Sequence, residues 1–260
     1  MGLTRNCTGH RLWKEQRHPA GEDGWVVALA GNPNTGKSTI FNALTGLHQH
    51  TGNWPGKTVL KAQGYYHYKG RHYTLIDLPG TYSLLANSVE EQVARDFLCF
   101  GRPDVTVVVV DATCLERNLN LVLQVLEITG KVVVCVNLLD EAKRKGISVD
   151  LEILSRELGV PVVGTAARHG TGLAELKETI YLLAAGRLRT APRQVRYDPL
   201  LEAAVEKLLQ ELPLEAHPDL NPRWLALRLL EGDTAILTHG RPPEAPGCTG
   251  SLLAALEGQT

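Results

Sequence analysis

Eight consecutive residues, Gly31-Asn32-Pro33-Asn34-Thr35-Gly36-Lys37-Ser38, have the types and spacing to handle phosphate. The two glycines let backbone N–H groups converge on phosphate oxygens, Lys37 can reach the β- and γ-phosphates, and the Ser38 hydroxyl can ligate Mg²⁺. An apolar run, Val26 to Ala30, precedes them, and Thr39 to Leu44 reads as a helix. Strand, glycine turn and helix N-terminus are the context such a loop needs. Residues Gly31 to Thr39 are therefore expected to bind a nucleoside triphosphate.

Three later stretches extend the set. Asp77-Leu78-Pro79-Gly80 follows a strand pattern; its aspartate can hold Mg²⁺ through water, and the Gly80 N–H can bond the γ-phosphate. In Asn137-Leu138-Leu139-Asp140 a carboxylate can accept from both N1–H and the N2 amine of guanine, a pairing adenine does not offer, so Asp140 argues for GTP over ATP. Asn137 would tie this loop to the phosphate loop. Leu138 stands where many GTPases place a lysine along the base plane. In Thr165-Ala166-Ala167 the Ala167 N–H would reach guanine O6, and Ala166 replaces a serine common in such loops. The position after Gly80 is Thr81, so the glutamine that orients water in Ras-like proteins is missing, and the loop after the first helix offers no arginine finger. A monovalent cation on the phosphates could supply that charge; otherwise hydrolysis should be slow.

These motifs need a frame. Val59 to Tyr68 and His72 to Ile76 read as strands joined by a turn at Lys69-Gly70, after a long loop from Leu47 to Thr58. Val89 to Phe100 reads as a helix, and strands at Val105 to Asp111, Lys131 to Asn137 and Pro161 to Thr165 alternate with helices at Leu115 to Thr129, Leu151 to Leu158 and Leu173 to Ala185. That alternation predicts an α/β P-loop NTPase fold with a mostly parallel sheet and its functional loops at the strands' C-terminal ends. From Gly186 the pattern changes to a basic, proline-containing linker and then helices at Pro199 to Leu212, Pro222 to Leu230 and Ser251 to Glu257. The expected division is a flexible extension 1–24, a nucleotide-binding domain 25–186 and a small all-helical domain 187–260. Cys7 and His10 in the extension are too few for a metal site.

A formal net charge of −1 gives no reason to expect nucleic acid as a partner. No apolar run approaches the roughly 18–20 residues of a membrane helix, and no signal peptide opens the chain. Five scattered cysteines make no disulfide framework; Cys99, Cys114 and Cys135 read as buried reduced thiols in a cytoplasmic compartment.

In order, the motifs resemble those of the translation-factor-related small GTPases. One family is much closer. The phosphate loop, then Thr51-Gly52-Asn53-Trp54-Pro55-Gly56-Lys57-Thr58-Val59, then Asp77 to Leu84 are similar to the N-terminal G domain of the bacterial ferrous iron transporter FeoB, with G-N-W-P-G-x-T-V the specific part. The resemblance runs from about Val26 to Leu183, and a helical domain follows in that family too. It implies a GTPase, converting GTP to GDP and phosphate, at the cytoplasmic face of the bacterial inner membrane. Its partner would be the same transporter's membrane domain, absent from this chain; association between copies is left open. It implies a catalytic set of Asn34, Lys37, Thr58 and Gly80, with Mg²⁺ on Ser38, Thr58 and Asp77. It also implies K⁺ on Asn34 and the carbonyls of Gly52 and Trp54. Two other readings stay open at this stage. One is a GTPase of ribosome assembly or tRNA modification, of the Era or MnmE type, against which the near-neutral charge speaks. The other is a GTP-dependent interaction switch that hardly hydrolyses its nucleotide.

Overall fold

The computed structural model describes residues 24–47, 49–54, 57–85, 87–212, 220–233 and 236. The expected extension with Cys7 and His10, and the expected helix Ser251 to Glu257, lie outside these residues. The strands are β1 (Gly24–Gly31), β2 (Gln49–Asn53), β3 (Leu60–Tyr68), β4 (Arg71–Asp77), β5 (Val105–Asp111), β6 (Val132–Asn137) and β7 (Val162–Gly164). They form one seven-stranded sheet in the order β2-β3-β4-β1-β5-β6-β7. From β4 to β7 every pair is parallel, with Ala28 beside Ile76, Leu29 beside Val107 and Val109 beside Cys135. β2 and β3 add on antiparallel at one edge.

The inner strands β5 and β6 are runs of valine that are buried on both faces, as parallel strands covered by helices must be. Alternate residues serve two cores. Val26, Ala28 and Ala30 pack with α2 (Val89–Asp96) and α3 (Leu115–Ile128), whereas Val27 and Leu29 pack with α1 (Lys37–Thr45) and α6 (Leu173–Ala184). Between them in sequence come α4 (Leu139–Arg144) and α5 (Leu151–Leu158). β1 has β4 on one side and β5 on the other, so the strand order turns at β1, where open α/β sheets bind ligands. Gly31, Asp77 and Asn137 end β1, β4 and β6 on the same rim.

Four local expectations need correction. The expected loop Leu47 to Thr58 contains β2: a polar strand with no apolar alternation, held by its ladder with β3. Helix α4 forms in a stretch too short and charged to show a period. The helix from Val89 does not continue as an α-helix to Phe100 but widens at Asp96 into a π-turn, Phe97–Gly101. Through it Phe97 and Leu98 reach the sheet core while Cys99 reaches the helical one, a division that a regular helical repeat would not give. Cys114 is exposed, while Cys99 and Cys135 are buried thiols as expected.

The stretch after Gly186 lies hydrogen-bonded on the sheet unit: Ala191 N–H donates to Gly159 O at 2.9 Å and Arg193 N–H to Leu158 O at 3.0 Å. Beyond it, α7 (Pro199–Glu211) and α8 (Pro222–Leu230) each begin with proline behind a capping Asp198 or Asn221 side chain. Val205, Trp224, Leu225 and Leu229 bury their side chains with Cys99, so the helical part closes its core on the π-turn.

Candidate functional site: a phosphate loop and two base-facing loops

Gly31 leaves β1 where the chain passes close to β5; a Cβ there would lie 2.5 Å from Val109 O. Thr35 Oγ1 donates to Asn32 O at 3.0 Å and stiffens the loop between them. Asn34 is exposed in the left-handed region, φ 67°. Gly36 (φ 80°) caps α1 with no side-chain cap bond. The first intrahelical bond is Ile40 N–H to Gly36 O, so the N–H groups of Lys37, Ser38 and Thr39 stand at an open helix N-terminus suited to anions. Ser38 and Thr39 are exposed, and Pro33 lies against Gly80. The Asn32 carboxamide is buried with neither polar atom hydrogen-bonded.

Asp77 follows directly from β4. Its carboxylate holds the Lys37 ammonium, which also donates to Leu78 O at 2.6 Å. Burial lifts the Asp77 carboxyl above its ordinary pKa against the pull of that ammonium. Leu78 N–H donates to Leu29 O and Thr81 N–H to Gly31 O, pinning the Asp77 to Gly80 loop to the end of β1. Hard oxygen donors at Ser38 and Asp77 are of the type that suits Mg²⁺.

Asn137 joins three loops. Its Nδ2 donates to Thr35 O at 3.0 Å, and its Oδ1 accepts from Thr165 Oγ1 at 3.0 Å and from Ala167 N–H at 3.2 Å. The expected tie to the phosphate loop is present. The Ala167 N–H, expected to face guanine O6, is instead engaged by Asn137 because the 3-10 turn Ala167–His169 folds over that side chain. Ala166 pairs with Thr171 across a single bridge. Leu138 takes the left-handed region (φ 63°) and starts α4, setting Asp140 in its first turn. His169 Nε2 approaches Asp140 there; sequence reading passed over it.

The residues before β3 stand apart from these. Gly52 lies in β2, three strands from β1, paired with Lys61. Trp54 is 1% exposed and meets Phe97 edge-on at 5.5 Å, and its carbonyl accepts from Lys57 N–H at 3.0 Å. Thr58 is exposed and makes no hydrogen bond among the described residues. The ladder to β3 and the burial of Trp54 hold the Gly52 to Trp54 segment at the sheet edge, and among the described residues no hydrogen bond joins Gly52 to Asn34. Thr58 is likewise not joined to Ser38 and Asp77.

A strand–glycine loop–helix at the turning point of a parallel sheet, with a lysine and an acidic loop beside it, defines a P-loop nucleotide-binding protein of the α/β class. The family model for ferrous iron transport protein B matches residues 25–180, and that for the FeoB cytosolic helical domain matches residues 197–257. The chain belongs to the FeoB family. The Fe(2+) transporter FeoB of Salmonella typhimurium is 41% identical over 218 residues, 80% of this chain and 27% of that protein. The Fe(2+) transport protein A/Fe(2+) transporter FeoB fusion protein of Porphyromonas gingivalis is 43% identical over 211 residues, 80% of this chain and 25% of that one. The chain spans about a quarter of the length of these curated relatives. Among solved structures, the cytosolic domain of the T. maritima FeoB iron transporter in apo form is similar at 40% identity and a TM-score of 0.75, over 90% of this chain and 93% of that one. The same domain in GDP form I gives 39% and 0.75, over 90% and 92%. Among the described residues no helix is long and apolar enough to cross a membrane.

Proposed function

We propose that this chain binds and hydrolyses GTP as the cytosolic switch of a ferrous iron transporter, acting on a membrane domain carried elsewhere in the same protein. The observation that carries the reading is Asn137, whose side chain fastens the phosphate loop to the loop after β7, with Asp140 three residues further on in the first turn of α4. The helix N-terminus at Lys37 to Thr39 takes the phosphates. Lys37, resting here on Asp77 and Leu78 O, is the ammonium a triphosphate would draw to itself. Asp140 reads the guanine edge, since only guanine offers two donors to one carboxylate. Ser38, Asp77 and, after movement of its segment, Thr58 hold Mg²⁺, which neutralises phosphate charge when bound. Gly80 N–H serves the γ-phosphate, so phosphate loss would release the loop from Asp77 onward. A solved relative named in a GDP form supports guanine over adenine. The division into a nucleotide domain over 25–186 and a helical one from 187 belongs to this proposal. So does its site at the cytoplasmic face of the inner membrane.

Titration with GTP, GDP, ATP and ADP, with turnover measured in parallel, tests the reading. GTP and GDP should bind and the adenine nucleotides should not; equal or tighter binding of ATP overturns it. Potassium stimulation is a separable part. Turnover in KCl should exceed that in tetramethylammonium chloride, and equal rates would remove potassium from the proposal.

A further inference from the structure

Asp140 already has a partner. His169 Nε2 lies 3.3 Å from Asp140 Oδ2, with 62% of the histidine side chain and 29% of the aspartate side chain exposed. The two arrive from separate elements. Asp140 comes from the first turn of α4, and His169 ends the 3-10 turn after β7, whose His169 N–H donates to Ala166 O at 2.9 Å. Asn137 fixes the backbone of the turn from beneath through Ala167 N–H, two residues before His169. An ionised carboxylate only accepts, and its two oxygens are what guanine's two donors require. One of them lies 3.3 Å from the imidazole Nε2.

We propose that His169 is a specificity-determining residue of the nucleotide site: its imidazole competes with the guanine edge for the Asp140 carboxylate. The inference rests on the reading of Asp140 as the guanine acceptor. No other charged group nearby takes the place of His169. Arg168 adjoins His169; Glu141, Lys143 and Arg144 share α4 with Asp140, and Arg144 is paired with Glu141 at 3.3 Å. Asp111 and Cys114 flank or end the 3-10 turn Ala112–Cys114 packed on α4, and partial desolvation with the nearby Asp111 carboxylate holds the Cys114 thiol above its ordinary range. Lys37, on the helix packed against the His169 turn, has its ammonium on Asp77. Among the described residues none of these forms an ion pair with Asp140 or His169.

The test is calorimetric titration of the 260-residue chain with GDP, with His169→Ala and His169→Gln beside the unchanged protein. Both variants should bind GDP roughly two- to fivefold more tightly than the unchanged protein, the size an exposed pair supports. In an Asp140→Asn background the gain from His169→Ala should vanish. If His169→Ala binds GDP no better, or binds it more weakly because the ring contributes to base binding, the competition is overturned. Thermal midpoints of the variants separate loss of folding from loss of competition. If the unchanged protein fails to prefer GDP over ADP, it is the guanine reading that falls.

Discussion

Asn137 shows how one side chain can hold a binding site together. It is buried, and both ends of its carboxamide are used, by Thr35 O on one side and by Thr165 and Ala167 on the other. Asn137→Ala would take that partner from the Thr35 carbonyl and the Ala167 N–H in a dry place, and would leave the Thr165 hydroxyl with Cys135 Sγ at 3.3 Å. The expected cost is about 2–4 kcal/mol of unfolding free energy, read by denaturant titration, with GDP affinity down at least about tenfold. The tie from Asn137 to the phosphate loop was legible in the sequence, because a strand-ending Asn followed by Asp three residues on has few other uses beside a phosphate loop. His169 was not legible. Nothing in Ala167-Arg168-His169 says which way a short turn will aim its last side chain; that depends on Asn137 lying under it.

At the scale of elements, β2 is the part most at odds with its sequence. Gln49–Asn53 has no apolar face, contains a glycine and pairs on one side only, so its order comes from β3 and from Trp54 anchoring the next turn. Edge strands of this kind open at low cost. If Thr58 is to join Ser38 and Asp77 around GTP and Mg²⁺, the β2–β3 ladder must yield. Hydrogen exchange over Gln49–Asn53 should therefore speed up when a non-hydrolysable GTP analogue and Mg²⁺ are added, while β5 and β6 stay protected. Unchanged exchange in a protein that binds the analogue would mean that the segment does not switch. The valine strands and the helices at Leu115, Leu151 and Leu173 were readable in advance, since apolar runs and helical spacing leave local signatures. The π-turn left none. It answers to two cores at once, and the second core is built from residues more than a hundred positions later.

In the whole molecule, the helical part is joined to the nucleotide part at few but well-defined points. Arg95 is buried at the end of α2 and binds both Asp96 and Asp233, the latter at 2.7 Å, so the helix after the Asp77 to Gly80 loop reaches the chain beyond α8. Arg223 in α8 grips Glu202 in α7 through two 2.7 Å bonds and the 187–196 stretch through Val195 O at 3.0 Å. The Arg223 guanidinium pulls the Glu202 carboxyl down to about 2. Because the folded value lies below the ordinary one, the stabilisation is complete above the unfolded pKa near 4.5 and is lost as pH falls through about 2. Acid titration followed by circular dichroism should show the α7–α8 pair loosening in that window, and Glu202→Gln should remove the pH dependence while weakening the pair at neutral pH. In the sheet core, Trp54 rests edge-on against Phe97 in a dry setting, 1% exposed. That gives the protein a built-in optical gauge. An indole in such a pocket emits toward the blue, so lifting of its segment should redden the fluorescence that a Trp54→Phe difference spectrum isolates, and a stopped-flow trace would time the first movement after nucleotide arrives.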